Sequence, residues 1–426
     1  MKRIIIPSLR LARKVFALSL VALYASSGFA ATYYVATTGS DSNAGTLAAP
    51  FKSITKAQSV ASSGDTVSIR GGTYSSFTIA ANDSNYNYVH SISKSGITYA
   101  AYSGETPVFN FASITTAKRV CAFHIVKGVT GITIKGIQVT GVLVGSQKQS
   151  ECFRIEGACA FVNVVCHDNA ANGFYCTTNG SGSCTNCDSY NNIGTTSTSV
   201  GNTDGFGSHA QGVTYTYCRA WHNSDDGFDC ISSTKANTYD HCWSYNNGVM
   251  VSGTGGDANG FKVGGYGLTG AVANPLPLHT VKYCLSANNG ASGFYSNHMP
   301  GQAANWTYNT SYNNGIGAWE TETYTPGDFN MLEQTSPTNR ANVPGTREVL
   351  HYNIAYVGNI ITNSNLPAAN VTNNSWTKSG VTVSNADFVS LDPTQMTTAR
   401  NADGSLPTIT FMHLVSGSDL AGLGCF

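Results

Sequence analysis

Two successive copies of a repeated turn gather an unusual share of this chain's acidic residues. Thr203-Asp204-Gly-Phe206 is followed by Ser224-Asp225-Asp226-Gly-Phe-Asp229, and Asp204 and Asp226, 22 residues apart, hold the same place in the two copies. A third copy, Asn259-Gly-Phe-Lys262, carries a lysine where the second carries Asp229. If the copies stack as neighbouring strands about 4.8 Å apart, the carboxylates of Asp204, Asp225, Asp226 and Asp229 crowd together and repel unless a cation lies among them. Calcium suits such a set, because it takes six to eight oxygen ligands in a loose shell. Lys262 then stands directly above Asp229, as a base beside the ion. Plainer rivals exist: an Asp-Asp-Gly run is commonly a solvated turn, and a lysine over an aspartate is commonly an ion pair. The equivalence of Asp204 and Asp226 argues for the metal, and a lysine at the break in an otherwise neutral column argues for the base.

What must hold these residues is a repeat through the middle of the chain. One motif ends in Asn: Cys187-Asp-Ser-Tyr-Asn-Asn192, Cys218-Arg-Ala-Trp-His-Asn223, Cys242-Trp-Ser-Tyr-Asn-Asn247, Cys284-Leu-Ser-Ala-Asn-Asn289 and Asn309-Thr-Ser-Tyr-Asn-Asn314, with a weaker copy ending at Asn169. The other is a polar residue, Gly and Phe, ending at Phe174, Phe206, Phe228, Phe261 and Phe294. The intervals correspond to one coil of a β-solenoid, or one coil plus a loop. Between copies lie β-branched, aromatic-rich segments such as Val129-Thr-Gly-Ile-Thr-Ile134, and no four-turn amphipathic helix intervenes. The expected fold is all-β, a parallel β-helix in which each coil buries its apolar face only against its neighbours. The repeated Phe residues form a stacked Phe core, and the preceding Gly is expected to supply a turn conformation that a side chain resists. Asn169, Asn192, Asn223, Asn247, Asn289 and Asn314 form an Asn ladder. Cys187, Cys218, Cys242 and Cys284 stack at a spacing that disulfides tolerate.

The flanks differ from this middle. Residues 31–128 read as a short capping helix, around Pro50-Phe-Lys-Ser-Ile-Thr-Lys-Ala, and the first coils; residues 320–426 hold further strands and then a loop-rich tail around Asp387 to Pro407. The basic N-terminus, the apolar run from Val15 to Tyr24 and the small residues Ala25 to Ala31 read as a secretory signal peptide, residues 1–30, which leaves 31–426 as a single secreted domain. The apolar run is too short to span a bilayer, so no membrane partner is expected. Lys+Arg equals Asp+Glu at 23 each, and without a basic surplus no nucleic-acid partner is expected. The 12 cysteines suit disulfides or buried positions, since Cys184-Thr-Asn-Cys187 has no second pair to complete a zinc set. A monomer is expected.

Asp204-Gly-Phe-Gly207, Cys218-Arg-Ala-Trp-His-Asn-Ser-Asp-Asp-Gly-Phe-Asp229, Trp243-Ser-Tyr-Asn-Asn-Gly248 and Gly260-Phe-Lys-Val-Gly-Gly265 resemble the pectate lyases of polysaccharide lyase family 9 over residues 160–315. The resemblance implies a right-handed parallel β-helix. It carries the family's calcium-binding aspartates onto Asp204, Asp225, Asp226 and Asp229, and its lysine base onto Lys262. It further implies Ca2+ as cofactor and an acidic polysaccharide, polygalacturonate-type pectin, as the partner cleaved by β-elimination. The chain departs from the pattern in its cysteines, in an insertion around Leu268 to Leu278 and between Trp319 and Arg347. Two rivals remain. A β-helical glycoside hydrolase would use Asp204, Asp225 and Asp226 as acid and base, but its Gly-His-Gly signature finds only Gly207-Ser-His209. A non-catalytic calcium-binding β-helix, an adhesin or carbohydrate-binding module, gives no reason for Lys262.

Overall fold

The computed structural model describes residues 30–426 except 116, 178, 210, 250–254, 266–273, 318–323 and 337. All but the last residue of the expected leader, the start of the expected insertion, and Trp319 lie outside the described residues. Short strands build three sheets of 12, 10 and 11 strands whose order follows the chain, so each coil adds one strand to each face of a parallel β-helix. The helix Ile54–Val60 caps the first coils; Ser53 ends the preceding extended segment, and its hydroxyl accepts from the Lys56 amide at 3.0 Å.

Aromatic rings run along the bore. Phe174, Phe206, Phe228, Phe261 and Phe294 stack at centroid distances of 4.8–5.1 Å, and the column continues to Phe329 at 4.9 Å and backwards through Phe153 to Phe123. The parallel register imposes this, because Phe206 pairs Phe228, and Phe228 pairs Phe261. At the turn, each ladder asparagine from Asn169 to Asn289 donates its amide to the next asparagine's oxygen at 2.9 Å, and Asn314 closes the row on Asp328 at 2.9 Å. The residue before each ladder asparagine is left-handed, with φ of 51–57° from Asp168 to Asn313, which explains the doubled Asn-Asn of the motif. A second ladder, Asn309–Asn353–Asn374, runs at another turn.

The glycine before each Phe has a different cause from the one expected. None of Gly173, Gly205, Gly227, Gly260 and Gly293 has a positive φ. They are needed for space: a Cβ at Gly205, Gly227, Gly260 or Gly293 would sit 2.6–2.9 Å from the side-chain amide nitrogen of Asn223, Asn247, Asn289 or Asn314. The Gly and Asn columns therefore interlock. The disulfide expectation is also corrected, since all 12 cysteines are free and buried. All but Cys121 and Cys425 belong to the main core cluster in the bore, where they act as small apolar side chains.

The C-terminal tail covers the ten-stranded face. Phe388, Met396, Phe411, Met412, Leu420 and Leu423 pack on Trp221, Trp243, Leu285 and Ile354. Buried charges pin it: Arg219 donates to Asp188 Oδ2 at 2.7 Å and Oδ1 at 2.9 Å and to the Thr398 carbonyl at 2.7 Å, while Arg400 donates to the same Oδ1 at 2.7 Å.

Two carboxyls inside the solenoid set a pH dependence of stability. Burial raises Asp328 to about 7 and Glu348 to about 8, although bonds from Asn314 and Ser311, and from Trp306, oppose the shift. A carboxyl whose folded pKa lies above its unfolded value of about 4 stabilises the fold at low pH. That stability is lost as pH rises through the folded value. Glu348→Gln retains an acceptor for Trp306 Nε1, now bonded to Glu348 Oε2 at 2.8 Å, and Asp328→Asn retains the ladder oxygen. Both variants should melt above the parent at pH 9, with the gap closing at pH 5. A pH-independent gap in thermal unfolding would refute this.

Candidate active site

Three consecutive strands of the eleven-stranded face, Phe206–His209, Phe228–Cys230 and Phe261–Val263, position the cluster: Asp229 and Lys262 are second residues of their strands, and Asp204, Asp225 and Asp226 stand two or three residues before a strand's first Phe. Their register pairs Asp229 with Lys262 and places Asp204 and Asp226 at equivalent positions, each two residues before a paired Phe. Asp204, Asp225, Asp226 and Asp229 are all 5% exposed or less. Asp226 is tied from both sides: its amide donates to Asp204 Oδ1 at 3.2 Å, and its Oδ1 accepts from the Asn259 amide at 2.6 Å and Nδ2 at 3.0 Å.

Lys262 Nζ reaches into this cluster. It lies 3.0 Å from Asp226 Oδ2, 3.9 Å from Asp229 Oδ1 and 2.6 Å from Asp257 Oδ2. Asp257 also donates its amide to Asp225 Oδ1 at 2.5 Å. The structure thus brings together every residue selected from the sequence and adds two, Asp257 and His209, whose Nε2 is 3.1 Å from Asp229 Oδ2. Asp257 escaped because residues 249–258 break the repeat and offer no register. His209 stood in view in Gly207-Ser-His209 but pairs with nothing in the repeat. Arg219, from the Asn-ending motif, lies away from this site, buried on another face in the Asp188 network.

Charge and burial act against each other here. Burial raises Asp204, then Asp229 and Asp226 add repulsion; Asp225 is raised likewise, and Asp226 to about 7 despite Lys262. Asp229 goes the other way, because Lys262 and His209 both face it and overcome its burial. Burial alone would lower Lys262, but Asp226, Asp229, Asp257 and Asp225 hold it well above its ordinary value. One lysine cannot neutralise so many carboxylates. Asp229 Oδ1 has no hydrogen-bond donor despite its burial, Asp226 Oδ2 is met by the Lys262 ion pair at 3.0 Å, and ligand oxygens of Asp204, Asp225 and Asp226 lie within 4.8 Å of one another. An all-oxygen, strongly anionic set of this kind fits a hard divalent cation.

The outward column beside the cluster reads Arg154, Tyr175, Gly207, Asp229, Lys262, Tyr295 and Asn330 on successive coils. It loses its side chain at Gly207, next to Asp229.

The family model for the Pel9A-like, right handed beta helix region matches residues 33–342. A pectate lyase L of Dickeya chrysanthemi is 31% identical over 413 residues, covering 92% of this chain and 85% of the relative. One of Paenibacillus polymyxa (strain SC2) is 29% identical, covering 85% and 76%. Among solved structures, a rhamnogalacturonan lyase superposes with a TM-score of 0.83 at 32% identity, covering 92% of this chain and 99% of the other. The pectate lyase Pel9A superposes with a TM-score of 0.69 at 27% identity, covering 92% and 91%.

Proposed function

The chain belongs to the Pel9A-like, right-handed β-helix family and is a polysaccharide lyase, and from that premise we propose that it cleaves a polygalacturonate-type pectic polysaccharide by calcium-assisted β-elimination. The observation that carries this reading is the lysine amine set among buried carboxylates, 3.0 Å from Asp226. Asp204, Asp225, Asp226 and Asp229 would hold calcium, which when bound supplies Lewis-acid stabilisation of a uronate carboxylate as negative charge develops at C5. Lys262 removes the C5 proton: the C5–H bond breaks, a C4–C5 double bond forms and the oxygen at C4 leaves. To act so, its amine must be neutral, which requires the surrounding carboxylates to find their counter-charge elsewhere. Asp257, 2.6 Å away, keeps the amine directed into the site.

The protein is read as a secreted monomer with a leader over residues 1–30 and one domain over 31–426. The unbroken stacking of coils from Thr32 to Thr372 supports the single domain. No helix among the described residues is long and apolar enough to cross a membrane.

A second substrate reading, rhamnogalacturonan, is favoured by the TM-score of 0.83 to a rhamnogalacturonan lyase. Both polymers present a galacturonate whose C5 proton can be removed, so the chemistry of Lys262 is common to them. A panel of polygalacturonate, methyl-esterified pectin and rhamnogalacturonan, with and without calcium, decides between them. Polygalacturonate with calcium should give the ultraviolet absorbance of the unsaturated product. Absorbance from rhamnogalacturonan alone would establish the second reading. New reducing ends without absorbance would mean hydrolysis, and neither signal would mean binding only.

A further inference from the structure

We infer that His209 is a positioning residue that fixes Asp229 as a cation ligand, an inference that rests on the calcium site proposed above. His209 ends the strand Phe206–His209, and its side chain is 15% exposed. Its Nε2 lies 3.1 Å from Asp229 Oδ2. An ionised carboxylate offers only lone pairs, so Nε2 carries the proton and donates. The far side of the imidazole is held by Tyr175, whose ring centroid is 5.0 Å away at 67°. Gly207 makes that bracket possible, because a Cβ there would stand 3.2 Å from the Tyr175 ring and 3.6 Å from His209 Nε2.

The consequence falls on the other oxygen of Asp229. With Oδ2 engaged by the imidazole, Oδ1 remains buried with no hydrogen-bond donor, 3.9 Å from Lys262 Nζ. Ligand atoms of Asp204, His209 and Asp229 lie within 4.8 Å of one another, so the imidazole borders the same cation position rather than a separate one. Calcium prefers oxygen to a neutral ring nitrogen. His209 therefore acts through Asp229, holding the carboxylate with one oxygen turned to the ion. Such outer partners of ligating carboxylates are worth roughly 10- to 100-fold in metal affinity.

The test is calorimetric titration of calcium into the full protein, its His209→Ala variant and its His209→Gln variant, with terbium luminescence as an independent readout. His209→Ala should weaken calcium binding by about 10-fold or more. His209→Gln places an amide N–H at comparable reach and should recover most of the affinity. The turnover of the Ala variant at low calcium should fall and then recover as calcium is raised. Equal calcium affinity in parent and Ala variant overturns the role of His209 while leaving the calcium site standing. A Gln variant as weak as the Ala variant also overturns it, because the donated hydrogen bond is then irrelevant. A parent that binds no calcium overturns both.

Discussion

Replacing Lys262 by alanine should lower turnover by several orders of magnitude while calcium binding survives. The lysine amine lies within 4 Å of Asp226, Asp229 and Asp257, and it is the one lysine or arginine group among the described residues that does so. Loss of a general base costs about 10²- to 10⁴-fold, and this variant also loses the electrostatic help of the group. Lys262→Arg keeps the charge but should be nearly as impaired, since guanidinium does not give up its proton in this range and reaches differently. In the metal-free protein, burial would lower the lysine but Asp226, Asp229, Asp257 and Asp225 together raise it well above its ordinary value. Only the neutral amine accepts a proton, so the rate of the parent should climb with pH on the alkaline side. Calcium among the aspartates opposes their pull on the lysine, so the apparent pKa of that climb should fall towards or below the ordinary lysine value of about 10.4. Turnover of the Ala variant above about a tenth of the parent's would assign the proton to another group.

How far the sequence shows this arrangement depends on whether a residue belongs to the repeat. Asp229 under Lys262 follows from counting one residue past a Phe that must point into the bore, and Asp204 equivalent to Asp226 from counting two residues before it; the structure pairs Asp229 with Lys262 and Phe206 with Phe228 in that register. The Asn ladder is legible for the same reason, because an amide that both donates and accepts bonds to its copy one coil away. The glycines are legible as a column but not in their cause: the motif resembles a turn, and only the neighbouring asparagine amide shows that the missing Cβ is the point. Asp257 and His209 obey no repeat, and their contacts depend on where Asp257 meets Asp225 and on the Tyr175 ring. The tail lies beyond the repeat too. Its anchor joins Asp188 to Arg400 across 212 residues, a pairing that no local pattern announces.

Removing calcium should abolish activity without dismantling the fold, and the loss should be reversed by adding calcium back. The solenoid is held by the Phe column and the Asn ladder, which lie inside the coils, whereas the aspartates lie at the edge of the outer face. The metal-free site is nevertheless a store of repulsion. Burial raises Asp204 and Asp225, and takes Asp226 to about 7, with neighbouring carboxylates adding to each shift. Groups raised in the folded state stabilise it below the unfolded value of about 4 and lose that contribution as pH climbs through the folded value. The metal-free protein should therefore melt at a lower temperature at pH 9 than at pH 6, and calcium should raise the melting point more at pH 9, where more of the ligand carboxylates are ionised. Asp226→Ala tests the same balance from the protein side. It removes the oxygen facing Lys262 and the acceptor for the Asn259 amide, so calcium affinity and turnover should fall together, with partial recovery at saturating calcium. The like-charge repulsion in the metal-free cluster should also ease, so its melting temperature in chelator should depend less on pH than the parent's. Full activity of the parent in excess chelator after exhaustive dialysis would overturn the metal assignment, and unchanged calcium affinity in Asp226→Ala would remove Asp226 from the ligand set.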